Sequence, residues 1–413
     1  MPAAIDESQP PAPASDGPGP RSQSPLGVFS LGRNLGLVAL SALFFNLGQS
    51  LQRGIYPNYL KSLGIPGDQL GAIESIRELP GLATGFLAVF AFILPESVLA
   101  AACLLGVALG FVLYGQAGGF LTLLAATLVM STGFHLFFPA QSAMILRYSR
   151  TGEKATALGV INSMTALASV VAMFSVAGLT RVTSFRTIYR LAAGLAALSA
   201  VVIARLPRER GPARGRRLSL DQRFSVYYWL TLLSGGRRHI FMTFAQFALA
   251  SVYGLSAAQI SLAIGTVSVV SFFTRPLMGR IIDLYGERRV LFFNYVVLIG
   301  LYLGYAFVHY LPMVYLIFGL DQLFMDFDLA QTTYLDKIAP RDQVPAVLST
   351  GSTINHISGV GFPLLGGFIW KVLGPGATFV FGAILAAASA IASTFVHPEK
   401  GFAVRDGRFQ SAC

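Results

Sequence analysis

Hydrophobic positions along the 413 residues gather into long runs, and polar positions into short gaps between them. Twelve runs read as helices, at 34–60, 69–94, 97–117, 119–147, 155–179, 187–206, 225–253, 257–280, 289–309, 312–336, 346–371 and 375–397. Each approaches or exceeds the roughly 20 residues that a helix needs to cross a hydrocarbon core. The long gap is 207–224, where Arg208, Arg210, Arg214, Arg216, Arg217 and Arg223 mark a solvated basic linker. It divides the chain into halves of six helices, 34–206 and 225–397. Residues 1–33 are rich in Pro, Ser and Gly, with no apolar core after a basic start, and read as a disordered tail and not a signal peptide. Residues 398–413 form a second tail.

One stretch breaks the pattern sharply: Ser234-Gly235-Gly236-Arg237-Arg238-His239, inside the seventh run. An Arg at the centre of a membrane helix costs about 2.5–3.5 kcal/mol on the insertion scale. Such residues persist where they pair or face a water-filled path. Adjacent arginines lie about 100° apart around a helix. One is therefore expected to line a cavity and the other to be bound by a carboxylate, the sequence leaving open which is which. The two glycines are expected to loosen the helix, so that backbone carbonyls also face the path.

Composition agrees with a membrane protein, since 54% of residues are hydrophobic and only 12% are charged. A soluble chain carries about twice that charged fraction. The net charge of +11 would suggest nucleic acid if it lay on a soluble domain. Here the basic residues flank apolar runs, so no nucleic-acid partner is expected and the positive-inside rule applies. With both termini inside, 20 of the 30 Lys and Arg residues fall on the inner side and five on the outer. The remaining five, Arg53, Arg77, Arg237, Arg238 and Arg275, lie within helices. That bias orients the chain with cytoplasmic termini, in a plasma membrane that Arg-rich usage associates with a high-GC bacterium. Cys103 and Cys413 give neither a disulfide framework nor metal-ligand spacing. No nucleophile–base arrangement or phosphate loop appears, so neither an enzyme nor a cofactor or metal is expected.

The halves echo one another. Leu63-Gly64-Ile65-Pro66-Gly67-Asp68-Gln69-Leu70 matches Tyr253-Gly254-Leu255-Ser256-Ala257-Ala258-Gln259-Ile260, with Gly and Gln at the same spacing. Parallel repeats of six helices place a transport site at their interface, near mid-membrane. The segment Gly279-Arg280-Ile281-Ile282-Asp283-Leu284-Tyr285-Gly286-Glu287-Arg288-Arg289 is similar to the inner-loop motif Gly-x-x-x-Asp-Arg-x-Gly-Arg-Arg. On these features residues 34–397 resemble the major facilitator superfamily, an all-α membrane fold with twelve helices around a central cavity. The resemblance assigns Asp283 a part in latching the inner gate, with Gly279, Gly286, Arg288 and Arg289 beside it. A carboxylate among guanidinium groups forms charge-assisted hydrogen bonds, which agrees with that role. The loop Leu94-Pro95-Glu96-Ser97 lacks the motif, helix 4 lacks the antiporter Arg and helix 5 lacks the Gly-Pro signature. These departures leave the subfamily open and weaken a multidrug reading.

The resemblance further implies that helices 1, 2, 4, 5, 7, 8, 10 and 11 line the cavity and that 3, 6, 9 and 12 lie outside. Deep polar residues follow that division: Asn46, Gln49 and Arg53; Glu74, Arg77 and Glu78; His135; Asn162; Asp321, Asp326 and Asp328; Asn355 and His356. Asn46, Gln49 and Arg53 share one helical face, and Glu74, Arg77 and Glu78 share another. Asp321 and Asp328 fall together, with Asp326 on nearly the opposite side and expected to pair with a neighbouring helix. His135 reads as a packing residue as readily as a ligand.

These residues predict a secondary transporter in the bilayer, monomeric and proton-coupled, leaning to efflux of a small polar or amphipathic organic solute. Asn46, Gln49, Arg53, Arg237, Arg238, His239, Asn355 and His356 are its candidate binding residues. Glu74, Glu78, Asp321, Asp326 and Asp328 are candidate proton carriers, because a carboxylate can alternate between an Arg partner and a proton. An uncoupled facilitator or importer of an organic anion, and a transporter-like scaffold or sensor without flux, are the competing readings.

Overall fold

The computed structural model describes residues 32–83, 94–150, 153–209 and 218–397. All regular structure among them is helical. The first half comprises α1 (Arg33–Ser62), α2 (Gly67–Leu82), α3 (Glu96–Gln116), α4 (Phe120–Tyr148), α5 (Lys154–Val182) and α6 (Phe185–Ile203). In the second, α7 runs through Ser225–Ile240, a π-helical stretch Phe241–Ala245 and Gln246–Ser251. It is followed by α8 (Ala257–Tyr285) and α9 (Glu287–Phe307). α10 comprises Leu311–Phe324, a 3-10 stretch Met325–Asp328 and Leu329–Ile338, and α11 (Val344–Leu373) and α12 (Pro375–Ser393) complete the half. Nine of these helices are long and apolar enough to cross a membrane. α7 and α10 carry the charged residues that interrupt their runs. The expected continuation of helix 2 to 94 falls mostly on 84–93, outside the described residues, as do the tail before 32, most of the linker and the tail after 397.

Packing places α3 against α4 and α6, and α9 against α12, away from the interface between the halves. The halves meet through α2 on α11, α5 on α8, and α1 on the end of α7 and the start of α8. The repeated turns match in geometry as well as sequence: Gly64 and Gly254 have φ of 69° and 72°. Only glycine enters that region without a Cβ penalty, which is why both turns keep it. In the second turn Ser256 and Gln259 form a reciprocal capping box at the start of α8.

Contacts between the halves concentrate at the face bearing these turns. Asn58 Nδ2 donates to the Leu255 carbonyl at 2.7 Å and Lys61 Nζ to the Ala250 carbonyl at 2.8 Å. Ser261 Oγ donates to the Gly54 carbonyl at 3.0 Å, and Lys371 Nζ meets Asp68 Oδ2 at 2.8 Å. Toward the opposite face, which holds both ends of the described chain, Asn162 and Ser163 of α5 are exposed. Arg275 of α8 is 64% exposed about 15 Å from that helix's end. Exposed polar side chains at that depth fit a water-filled opening. Among the described residues the molecule is sealed at one face and parted at the other.

Two expectations are corrected. Gly235 and Gly236 do not loosen α7, which is regularly helical there. A Cβ on Gly236 would meet the Phe362 ring at 2.5 Å, and one on Gly235 would meet Asn355 and Ser358 at 3.1 Å. The glycines let α11 approach, and the departure from α geometry comes one turn later, at Phe241–Ala245. Helix 8 runs past 280 to Tyr285, because the break is Gly286 at φ 76° and not Gly279.

Candidate functional site

The shared face of α1 opens on a cavity of about 270 Å³ between the halves. Asn46, Gln49, Arg53 and Tyr56 line one side; Glu74 and Arg77 of α2 and Phe134 and Phe138 of α4 continue the wall. α7 closes it with Met242, Thr243, Gln246 and Phe247. The π-helical stretch adds a residue to the turn and re-aims this face, a device common at functional sites. Asn46 Nδ2 is engaged by the Ala42 carbonyl at 2.8 Å and Thr165 Oγ1 at 3.4 Å. Gln49 Oε1 is buried without a hydrogen-bond partner. Arg53 is exposed to the cavity although protein surrounds it. Among the described residues it makes no ion pair or hydrogen bond.

Beside the cavity, Arg77 binds both acidic neighbours on its own helix, Glu74 Oε2 at 2.7 Å and Glu78 Oε1 at 3.0 Å. The i, i+3 spacing brings Glu74 onto the face of Arg77, and the long guanidinium stem reaches the adjacent Glu78. The second oxygen of Glu78 crosses to the other half, where His356 Nδ1 lies at 2.9 Å, and His135 Nε2 approaches it at 3.7 Å. His239 is buried nearby with Nε2 unpartnered. Arg238 donates to Asn355 Oδ1 on α11.

Arg237 takes the other direction, as the 100° offset requires. It is fully buried, with its guanidinium 3.6 Å from Asp321 Oδ1 and 3.5 Å from Asp328 Oδ2. Tyr302 of α9 donates to its backbone carbonyl at 2.7 Å. Gln331 Nε2 ties Ser234 at 3.0 Å, Tyr295 at 3.2 Å and Asp328 at 3.4 Å into the same group. Asp326, on the other side of α10, accepts from Arg275 of α8 at 3.1 Å.

The candidate residues therefore separate. Asn46, Gln49, Arg53 and Glu74 share the cavity. Glu78, His239 and His356 form a junction between the halves, and Arg238 with Asn355 a separate contact between α7 and α11. Arg237, Asp321 and Asp328 are packed inside the second half. In the gate segment Asp283, Arg288 and Arg289 are exposed and make no ion pair among the described residues. The bonded carboxylate there is Glu287, 1% exposed and 2.7 Å from Lys337 of α10. Sequence reasoning missed Glu287, Lys337, Gln246 and Gln331. An uncharged Gln inside a run was the available signal for the last two.

Solved structures share this arrangement of helices. The nucleoside transporter NupG is 14% identical with a TM-score of 0.74, covering 88% of this chain and 98% of its own. A bacterial homolog to the human lysosomal transporter Spinster, in an inward-facing and occupied conformation, is 14% identical at 0.69, covering 88% and 93%. The human organic anion transporter MFSD10 (TETRAN) is 16% identical at 0.57, covering 87% and 99%. Among curated proteins no relative matches the sequence. The family model for the Major Facilitator Superfamily matches residues 38–227 and again 227–408, once for each half. The chain is a multi-pass integral membrane protein and belongs to the Major Facilitator Superfamily of membrane transporters.

Proposed function

We propose that the chain exports a small amphipathic organic anion by alternating access, in exchange for protons. The observation that carries this reading is Arg53, a permanent cation that makes no ion pair or hydrogen bond among the described residues, on the wall of an aromatic-lined cavity. A cargo carboxylate or phosphate would complete it with charge-assisted hydrogen bonds. Phe134, Phe138 and Phe247 would cover an apolar body, and Gln49, Thr243 and Gln246 would select polar substituents. A solved relative, MFSD10, is an organic anion transporter, a precedent for such cargo in this fold.

The 20-to-5 charge bias supports a cytoplasmic position for the parted face, from which the cavity described here would load. An inside-negative potential favours expulsion of an anion by about 2.3 kcal/mol per charge per 100 mV. An entering proton contributes a similar amount. For proton carriage, Asp326 is taken by Arg275, and Glu74 and Glu78 by Arg77 and the imidazoles. Asp321 and Asp328 share the single charge of Arg237. One carboxylate is in excess there, and one proton would balance it in a site closed by Tyr295, Tyr302 and Gln331.

The test is flux of organic anions from proteoliposomes under an imposed pH gradient. Arg53→Gln should lower it by about 10–100-fold at low anion concentration. Asp321→Asn and Asp328→Asn, each alone leaving one carboxylate to pair Arg237, should each abolish the pH-driven component and leave solute exchange. Anion flux unaffected by Arg53→Gln overturns the cargo site; pH-driven flux surviving in both single Asn variants overturns the coupling in favour of an uncoupled facilitator.

A further inference from the structure

We infer that the junction of Glu78, His135 and His356 is a binding site for a first-row divalent transition metal, best suited to Zn²⁺, and that the bound ion locks the two halves in the arrangement described. The inference rests on the fold and this cluster, and uses neither the cargo nor the coupling proposed above.

Glu78, His135 and His356 each offer one ligand atom, and the three atoms lie within 4.8 Å of one another. Ligands at about 2.0–2.1 Å from a tetrahedral Zn²⁺ stand about 3.3 Å apart. Glu78 Oε2 lies 3.7 Å from His135 Nε2 and accepts from His356 Nδ1 at 2.9 Å, and a cation entering here takes the place of that proton, which moves to the other ring nitrogen. Two imidazoles and a carboxylate suit Zn²⁺ and its first-row neighbours, and not Mg²⁺ or Ca²⁺.

The surroundings prepare His135 for this role. Its Nδ1 lies 3.0 Å from the Ser131 carbonyl, which only accepts, so Nδ1 carries the proton. Ser131 Oγ, 2.9 Å from the same nitrogen, in turn donates to the Arg77 carbonyl. Fixing one imidazole nitrogen as donor to a carbonyl leaves the other as a ligand, the usual outer support of metal-bound His. In the neutral ring Nε2 then carries a lone pair 3.7 Å from the carboxylate oxygen of Glu78, and a cation between the two binds both.

A fourth donor stands close. His239 is 6% exposed, and its Nε2 has no hydrogen-bond partner. A Cβ built on Gly359 would meet that ring at 2.9 Å and the Glu78 side chain at 2.6 Å. A Cβ on Gly81 would meet His356 at 2.4 Å and His135 at 2.9 Å. These glycines leave the room that the donors occupy. Arg77 holds Oε1 of Glu78 and leaves Oε2 to the imidazoles.

The ligands come from α2 and α4 of one half and from α11, with His239 of α7, of the other. An ion held by both halves must be released before they part, so it opposes the switch between states.

The full-length chain, free of any affinity tag, is titrated with Zn²⁺ by thermal shift and with Co²⁺ by its visible absorption. Zn²⁺ should raise the melting temperature, and Co²⁺ should show the bands of a tetrahedral N/O site. His135→Gln and His356→Gln should each weaken affinity more than about 100-fold. Gln at 356 keeps a donor for Glu78, so the fold survives the loss of the ligand. His309→Gln, at an exposed loop, should change nothing. No metal effect on the folded wild type, or affinity unchanged in the His135→Gln/His356→Gln double variant, overturns the site. For the lock, spin labels at Ala155→Cys and Leu284→Cys, with both native cysteines replaced, report the gap at the parted face. Zn²⁺ should collapse their distances onto one population. An unchanged distribution, or Zn²⁺ crossing proteoliposomes as cargo, overturns the lock.

Discussion

Gly71 of α2 lies so near Pro363 of α11 that a Cβ on Gly71 would stand 2.3 Å from the Pro363 carbonyl oxygen. Backbone meets backbone here, between the two halves and at the sealed face. The approach needs a residue without a side chain, and Gly367 on α11 serves the same contact, its own Cβ falling 3.0 Å from Asp68.

Gly71→Val should therefore weaken the seal, since the obstacle is main chain and cannot rotate away. Overpacking of this kind costs about 1–3 kcal/mol, all of it charged to the state in which α2 and α11 touch. A cysteine at Thr243, on the cavity wall, should react faster with an impermeant maleimide added at the sealed face. Equal rates with and without Gly71→Val would remove this contact as the seal.

Arg237→Met should destabilise the protein by about 3–5 kcal/mol, because it strands a fully buried Asp321 and leaves Asp328 beside it. Adding Asp321→Leu and Asp328→Leu should recover most of that loss, as apolar replacement of buried ion groups often does. Thermal unfolding of the single and triple variants separates the two effects. Pure packing by Arg237 would leave the triple variant as unstable as the single one.

Two lysine–carboxylate pairs of similar length should differ in weight. Asp68 and Lys371 are 24% and 66% exposed, and Asp68→Asn should cost at most about 1 kcal/mol. Glu287 is 1% exposed, so Lys337→Met removes the partner of a buried carboxylate and should cost about 2 kcal/mol. Melting temperatures of the two variants in the same detergent give the order directly.

Arg53→Gln should leave the melting temperature nearly unchanged, since among the described residues the side chain has no partner to lose and its charge is near that of Arg77. Affinity for an organic anion should fall by about 10–100-fold, the worth of one charged hydrogen bond. A neutral analogue of the same shape should bind both proteins alike. Equal losses for anion and analogue would assign Arg53 to the shape of the cavity and not to charge recognition.

The sequence by itself determined the twelve-helix architecture and the division into halves, because length and apolarity suffice to place a helix in a bilayer and the repeat is written in matched turns. It also determined that Asp321 and Asp328 work together while Asp326 faces elsewhere, since that is helical periodicity. The shared faces of α1 and α2 were legible for the same reason. Tertiary structure decided the partners. Periodicity fixes the angle between Arg237 and Arg238 but not which neighbour fills each direction, and packing gave the first to Asp321 and Asp328 and the second to Asn355. It decided that Arg53, not either arginine of α7, lines the cavity without a partner among the described residues. The role of glycine in α7 was also out of reach, because a missing Cβ loosens a helix or admits a neighbour, and only the position of Phe362 on α11 selects the second. Local rules set the elements; contacts hundreds of residues apart set which charges are paid for and which remain free to act.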